Sequence, residues 1–538
     1  MRGGTRWRGR WAGVLCGVLG ATLLAACGSD DESDGNGTGA PRQGGRLTYA
    51  IDLNPTCIDP QQSASATVQV ITRGVVDSLV TQDPKTGAIK PWIATSWTVS
   101  EDAREYTFKL RHGVTFSDGT PLDAAAVKAN FDRIVDPATK STFSAIYLRG
   151  YGGTTVQGKD AFTVRFSAPN APFLQAASTA FLGLESPASL TKGPEATCLK
   201  PVGSGPFTVN DKYISQKGVT VSRRADYAWG PDGGTQATRL DGLDFRVLPE
   251  DRVRVNSLQS GELDAVANVP TGDVKKLQSA GYQVLSARQP GLPYTLFFNE
   301  QHSPWSEPEA RKAVRAAIDQ DQIVNSIYGG QYPHAYSVLA KATPHYLATL
   351  NGRKTYDPAQ ANRLLDGLGY TQRDGAGYRT KDGKRLTLEW PLRSPSQKQK
   401  AVVAQLIQQQ LKSVGIQLVL TPVSVPVQQV AIQKGTYDLL DPSVVSADPN
   451  VLIADFGPDS LTRVVDPQIL AALTAGASTL DPAKRQAAYA QAQQLIFDRA
   501  DAIPIFDEVY IAAAASKVRG LTFDAQGYPL FSGVWLAG

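Results

Sequence analysis

The period of hydrophobic and polar positions changes repeatedly along the chain. Residues 47–53 (LTYAIDL) alternate and are rich in β-branched and aromatic side chains, so a strand is expected there, broken by Asn54-Pro55. Val68, Ile71, Val75, Val76 and Leu79 share one face at helical spacing, which predicts a helix over 68–80. Residues 106–110 (YTFKL) and 162–166 (FTVRF) alternate cleanly and read as strands. Between them, Ser117-Asp118-Gly119 supplies turn chemistry and Asp123 is placed to cap a helix over 124–131. The later half is richer in helix. Ser306-Glu307-Pro308-Glu309 has the order of a capping box with proline in the first turn, ahead of Ala310, Val314, Ala317 and Ile318 on one face. An amphipathic stretch at 401–411 ends before Gly415 and leads into an apolar run at 416–420, an α–β step. A further helix is expected over about 482–497, followed by Ile503-Pro504-Ile505-Phe506 and the apolar run 509–515. Strands and helices mix early without a strict β–α rhythm, and no repeat of solenoid or propeller length is visible. The expected class is α/β of the mixed, α+β kind.

With 538 residues, 42% hydrophobic and 19% charged, the chain is globular and long enough for two or three lobes. Its formal charge of +4 equals the contribution of Arg2, Arg6, Arg8 and Arg10 in a leader without Asp or Glu. The remainder is neutral, so the basic balance does not describe a nucleic-acid-binding surface. Residues 11–26 form an apolar stretch of roughly 16 residues, shorter than the ~20 a spanning helix needs. Leu24-Ala25-Ala26-Cys27 resembles the bacterial lipobox. That resemblance implies a signal peptide over 1–26 and lipid attached to Cys27. The acidic, Gly-rich segment behind it makes 27–43 a flexible tether.

Cys57 and Cys198 are the cysteines left outside the leader and the lipidation position. In an exported chain they suggest one disulfide, with two unpaired buried thiols as the alternative. Neither metal nor cofactor is expected. His112, His302, His334 and His345 show no ligand spacing, there is no Cys-x-x-Cys, and Met1 is the one methionine. Enzymatic motifs are missing too: no Gly-x-Ser-x-Gly elbow, Walker loop or His-Glu-x-x-His occurs. Gly203-Ser204-Gly205 reads as a tight turn rather than a phosphate loop. Glu250-Asp251, Asp507-Glu508 and Asp30-Asp31-Glu32 read as solvated surface charge.

A series of ordered motifs says more. Gly44-Gly45-Arg46-Leu47 is followed by Ile58-Asp59-Pro60, Asp77-Ser78-Leu79-Val80 and Pro91-Trp92-Ile93-Ala94 with Ser96-Trp97. Then come Tyr106-Thr107-Phe108-Lys109-Leu110-Arg111, Gly113 to Gly119, Gly203-Ser204-Gly205-Pro206-Phe207 and Gly261-Glu262-Leu263-Asp264. Later, Asn299 precedes Arg311 to Asp319 (RKAVRAAID), then Tyr356-Asp357-Pro358-Ala359 with Leu364-Leu365 and Gly369-Tyr370, Gly435-Thr436-Tyr437-Asp438, and Ile503-Pro504-Ile505. In this order they resemble the extracytoplasmic solute-binding proteins of ABC transporters, family 5, the class of oligopeptide, dipeptide and nickel binders.

The resemblance implies a two-lobed periplasmic-binding-protein-like fold of the large class II, cluster C type. The first lobe would be discontinuous, 45–293 plus 506–538, with an inserted subdomain at about 61–200; the second would be 294–505, joined to it by two hinge crossovers. The solute, a peptide or peptide-like compound by family default, would be held between the lobes and delivered to a permease and its ATPase. The chain would be a monomer, extracytoplasmic and lipid-anchored to the outer face of the bacterial cell membrane. Peptide binders of the class place a Trp and an amine-binding Asp upstream of an Asp-Pro step. Counting back from Pro449 puts Val445 at that Asp, with no Trp ahead of it; Asp441 would substitute along a different loop path. Candidate cleft residues are Asn54, Trp229, Tyr294, Phe297, Asn299, Trp390, Arg393, Val445 and Ser446, chosen from loops and strand ends near the expected lobe interface. Two other readings remain open: an exported hydrolase of glycans or peptides, and a sensory receptor for a peptide pheromone.

Overall fold

The computed structural model of the protein describes residues 40–538, except 64, 142, 232–237, 395–398 and 458–459. The expected signal peptide, Cys27 and the tether through residue 39 lie outside the described residues. Residues 41–538 form one compact unit.

Its largest sheet has seven strands in the order Gln283–Arg288, Val509–Ala514, Ala265–Val266, Arg46–Ile51, Gly242–Val247, Gly218–Arg223 and Phe207–Val209. Arg46–Ile51 runs parallel to both neighbours, a central pairing that requires cover on both faces. The side chains supply it. Leu47, Tyr49 and Ile51 enter one apolar core and Ala50 the opposite one. The returning tail strand does the same, with Val509, Ile511 and Ala513 on one side and Tyr510, Ala512 and Ala514 on the other. Across the sheet the Tyr49 and Tyr510 hydroxyls meet at 2.8 Å. The apolar run at 509–515 thus belongs to a strand buried on both faces.

A four-stranded antiparallel sheet, ordered Ala94–Val99, Glu105–Leu110, Ala161–Phe166, Tyr151–Val156, is built from the early alternating segments. Tyr106, Phe108 and Leu110 are buried and Phe108 stacks on Phe162, while Lys109 faces solvent. Asp123 caps the helix Ala124–Val135 by accepting from the Ala126 N–H at 2.9 Å. In the second half the helix Lys400–Ser413 joins two parallel strands, Thr387–Arg393 and Gln417–Val423, the expected α–β step. Val403, Ala404, Ile407 and Leu411 are its buried face; the three larger ones each contribute about 1.5–3 kcal/mol by leaving water.

Two expectations are corrected. The helix expected over 68–80 stops at Thr72, and Val80–Gln82 is a strand. Beyond the helix the chain turns, and the Gly74 and Val75 carbonyls accept from the Phe207 and Gly205 N–H groups, so tertiary hydrogen bonds replace the helical ones there. That contact also decides Gly203 and Gly205: a Cβ on Gly203 would lie 2.1 Å from the Val75 oxygen, and one on Gly205 2.6 Å from the Gly74 oxygen. The expected capping box does not form either. Glu307 is the N-cap of the helix Pro308–Ala317 and makes no side-chain cap bond; proline alone fits the first turn.

Candidate functional site

Two stretches converge where the large sheet passes into the later half of the chain. Gly291–Leu292 pairs antiparallel with Val444–Val445, and Ser446 N–H donates to the Pro290 carbonyl. Gly291 has φ +110°, and a Cβ there would sit 2.2 Å from the Val444 oxygen, so only glycine permits this approach. Val444 packs into the core formed around Phe297 and Tyr489, whereas Val445 packs against the core beneath the large sheet. Alternation along one short strand therefore joins two cores.

Beside this strand lies a polar cluster. Asp441 accepts from the Tyr294 hydroxyl at 3.0 Å and from the Trp390 indole N–H at 3.1 Å. Burial raises its pKa, opposed by the Lys400 charge, the Trp390 and Tyr294 hydrogen bonds and the Arg393 charge. Lys400 pairs with Glu508 at 3.1 Å, donates to the Ser443 hydroxyl at 2.9 Å and lies 4.8 Å from the centre of the Tyr294 ring. Ser443 in turn donates to Glu508 at 2.6 Å. Tyr294 stacks on Phe506 with ring centres 4.7 Å apart. A carboxylate held by neutral donors, next to an ion pair and aromatic faces, can receive a cationic or amide-bearing guest.

The structure brings Tyr294 and Trp390 together on Asp441, with the Arg393 charge acting on the same carboxylate; Arg393 is exposed and donates to Gln428 at 3.2 Å. Val445 and Ser446 follow along the same segment. The Ser446 hydroxyl donates to the Asp448 carbonyl at 3.0 Å, and the Asp448 carboxylate pairs with Arg485 at 2.6 Å. The Ala171 N–H donates to the Ala477 carbonyl at 2.9 Å, a second tie between early and late chain. Phe297 and Asn299 are fully buried. Phe297 packs on Phe456, and the Asn299 carboxamide donates to the Gly435 and Tyr437 carbonyls. The Asn54 side chain ties down the 213–216 turn through Tyr213, Ser215 and the Gln216 N–H. Trp229 donates to Asp77 at 2.9 Å and to the Ser204 carbonyl inside the early core. Cys57 and Cys198 come together, with Cα atoms 4.7 Å apart.

Sequence reasoning passed over Lys400 and Glu508. Asp507 and Glu508 are not solvated surface charge: they are 3% and 8% exposed, and burial raises Asp507 to about 6. Their place between two wholly buried strands, Ala502–Phe506 and Val509–Ala514, was the available signal. Among the described residues no group of three or more His, Cys, Asp or Glu is arranged to hold a metal ion, and no helix is long and apolar enough to cross a membrane.

Residues 88–452 match the family described as Bacterial extracellular solute-binding proteins, family 5 Middle. The chain belongs to this family. The glutathione-binding protein GsiB of Escherichia coli strain K12 is 28% identical over 491 residues, covering 88% of this chain and 91% of that protein. Among solved structures, NikA from Brucella suis in complex with Fe(III)-EDTA superposes with a TM-score of 0.82 at 24% identity, covering 92% of this chain and all of that one. AppA from Bacillus subtilis in complex with a nonapeptide superposes with a TM-score of 0.79 at 20% identity, covering 93% of this chain and all of that one. The fold is accordingly the mixed α/β, two-lobed type of the family-5 binding proteins. As a family member the chain is an extracellular solute-binding protein of ABC transport, and the hydrolase and pheromone-receptor readings give way to it.

Proposed function

We propose that this family-5 protein captures a peptide or peptide-like solute between a lobe of residues 45–293 plus 506–538 and a lobe of residues 294–505, then hands it to its permease. The Asp441 carboxylate, held by Tyr294 and Trp390 beside the Lys400–Glu508 pair, is the observation that carries the reading. It offers a half-buried carboxylate to a solute ammonium, while the neighbouring aromatic faces suit the side chains of a short peptide. Val445 and Ser446 supply backbone beside it, and Arg393 stands at the exposed rim. The names of relatives that take glutathione and a nonapeptide support the solute class. In this reading Cys27 carries the lipid that keeps a monomeric receptor at the outer face of the membrane, and Cys57–Cys198 is a bond that staples the first lobe. Closure around the guest excludes water and strengthens each polar contact, so occupancy is signalled by shape without any reaction.

Native mass spectrometry of protein purified from its source tests the class. Co-purified masses matching short peptides are expected, together with a rise in melting temperature when di- and tripeptides or glutathione are added. A melting temperature that responds to sugars alone, or multiple-turnover cleavage of added peptides, would overturn it.

A further inference from the structure

On the later half of the chain, away from the Asp441 cluster, the helices Pro308–Ala317 and Pro358–Gly367 and the end of the helix Pro482–Arg499 surround a cavity of about 340 Å³. Lys312, Arg315, Arg353 and Lys354 line it, and no Asp or Glu does. The Arg315 and Arg353 guanidinium groups lie 4.6 and 5.3 Å from the centre of the Phe497 ring. Lys312 has a loose ion pair with Glu309 on its own helix, at 3.6 Å. Among the described residues, Arg315, Arg353 and Lys354 have no carboxylate within ion-pair distance; Asp498 and Asp501 act on Arg315 only from further away. The Thr355 hydroxyl also lines the cavity, buried and without a hydrogen-bond partner.

Four like charges around one concavity repel one another, and an unpartnered buried hydroxyl adds a further cost. Both are relieved by one guest: an anion with more than a single charge and several acceptor oxygens. A carboxylate brings one charge in one plane. A phosphoryl group brings close to two charges and three strong acceptor oxygens, matching guanidinium forks, ammonium groups, the Thr355 hydroxyl and the Gln360 carboxamide converging from different sides. The volume lies in the range of small-molecule sites, and a concave wall suits a small guest better than a flat bilayer.

We propose that this cavity is a second ligand site, separate from the Asp441 cluster, that binds a small soluble compound bearing a phosphoryl group. The inference is independent of the solute assigned to the crossover cluster. Titration of the full chain with inorganic pyrophosphate at constant ionic strength tests it, read by calorimetry and melting temperature. Saturable binding of one equivalent is expected, weakened at least about tenfold in the double variant R353Q/K354Q, whose positions are exposed. Peptide binding by that variant stays unchanged. The single variant K354Q gives a weakening in the same direction if the double variant proves poorly folded. No response to pyrophosphate at millimolar concentration, or an equal response in wild type and variants, overturns the proposal. So does capture by phosphatidylglycerol vesicles without any response to the soluble anion, which would assign the charge to a lipid headgroup.

Discussion

Two aspartates, one buried early in the chain and one half-buried late in it, are held in nearly the same way. Asp77 accepts from the Trp229 indole at 2.9 Å and from the Tyr227 hydroxyl at 3.3 Å, with the Arg73 charge close by. Asp441 accepts from the Trp390 indole at 3.1 Å and the Tyr294 hydroxyl at 3.0 Å, with Lys400 close by. Burial raises both pKa values, Asp77 to about 6. The chemistry is the same and the setting is not. Trp229 belongs to the early core with Trp92 and Phe108, so the Asp77 trio lies within one packed body. The Asp441 trio is assembled from separate strands and a loop, beside the Lys400–Glu508 pair. A Trp–Asp–Tyr arrangement thus does not mark a binding site by itself; its assembly from distant segments is what leads us to propose Asp441 and not Asp77.

Removing the indoles should have the largest effect. Trp229→Ala and Trp390→Ala are each expected to cost about 3–5 kcal/mol in denaturant unfolding, through lost packing and an aspartate left with one donor fewer. Only Trp390→Ala should also weaken peptide binding in protein that remains folded; equal losses of affinity would erase the distinction. Next comes Asp455, whose shift has burial as its one cause and reaches about 7. Its folded pKa exceeds the unfolded value, so its neutral form is favoured and stability is lost as pH rises from about 4 to 7. Asp455→Asn should therefore be stabilising at pH 8 by on the order of 4 kcal/mol and nearly neutral at pH 3, read from urea midpoints at the two pH values.

Asp77→Asn should follow the same sign over the narrower window from about pH 4 to 6, with roughly 3 kcal/mol at pH 8, because its donors already offset part of the burial. It should leave solute affinity alone. Asp441→Asn is expected to lower affinity for peptides with a free amino terminus about tenfold, or roughly 1.4 kcal/mol, and to spare N-acetylated peptides, measured by calorimetry. If N-acetylated and free peptides lose affinity equally, Asp441 does not face the ammonium. The smallest effect belongs to Arg393→Ala, whose exposed side chain donates to Gln428; stability should change by no more than about 0.5 kcal/mol in the same unfolding assay.

Much of the fold was legible. Strict alternation located the strands Glu105–Leu110 and Ala161–Phe166, and helical spacing located Lys400–Ser413 and Pro482–Arg499, because in each case one face meets a core and the other meets water. Local pattern failed where a distant segment outcompeted it. The helical face at 68–80 breaks because the Gly205 and Phe207 N–H groups take the Val75 and Gly74 carbonyls, hydrogen bonds that no local window reveals.

By itself the sequence determined the family, the early and late sets of elements and the absence of familiar catalytic motifs, since these depend on residue order and local period. Tertiary structure alone decided that Trp390 serves Asp441, that Lys400 meets Glu508, and that Asp507-Glu508 is buried. The physical reason is distance along the chain. Tyr294, Trp390, Lys400, Asp441 and Glu508 acquire a common electrostatic environment only when packing of two cores brings their segments together, and neither periodicity nor spacing carries that information.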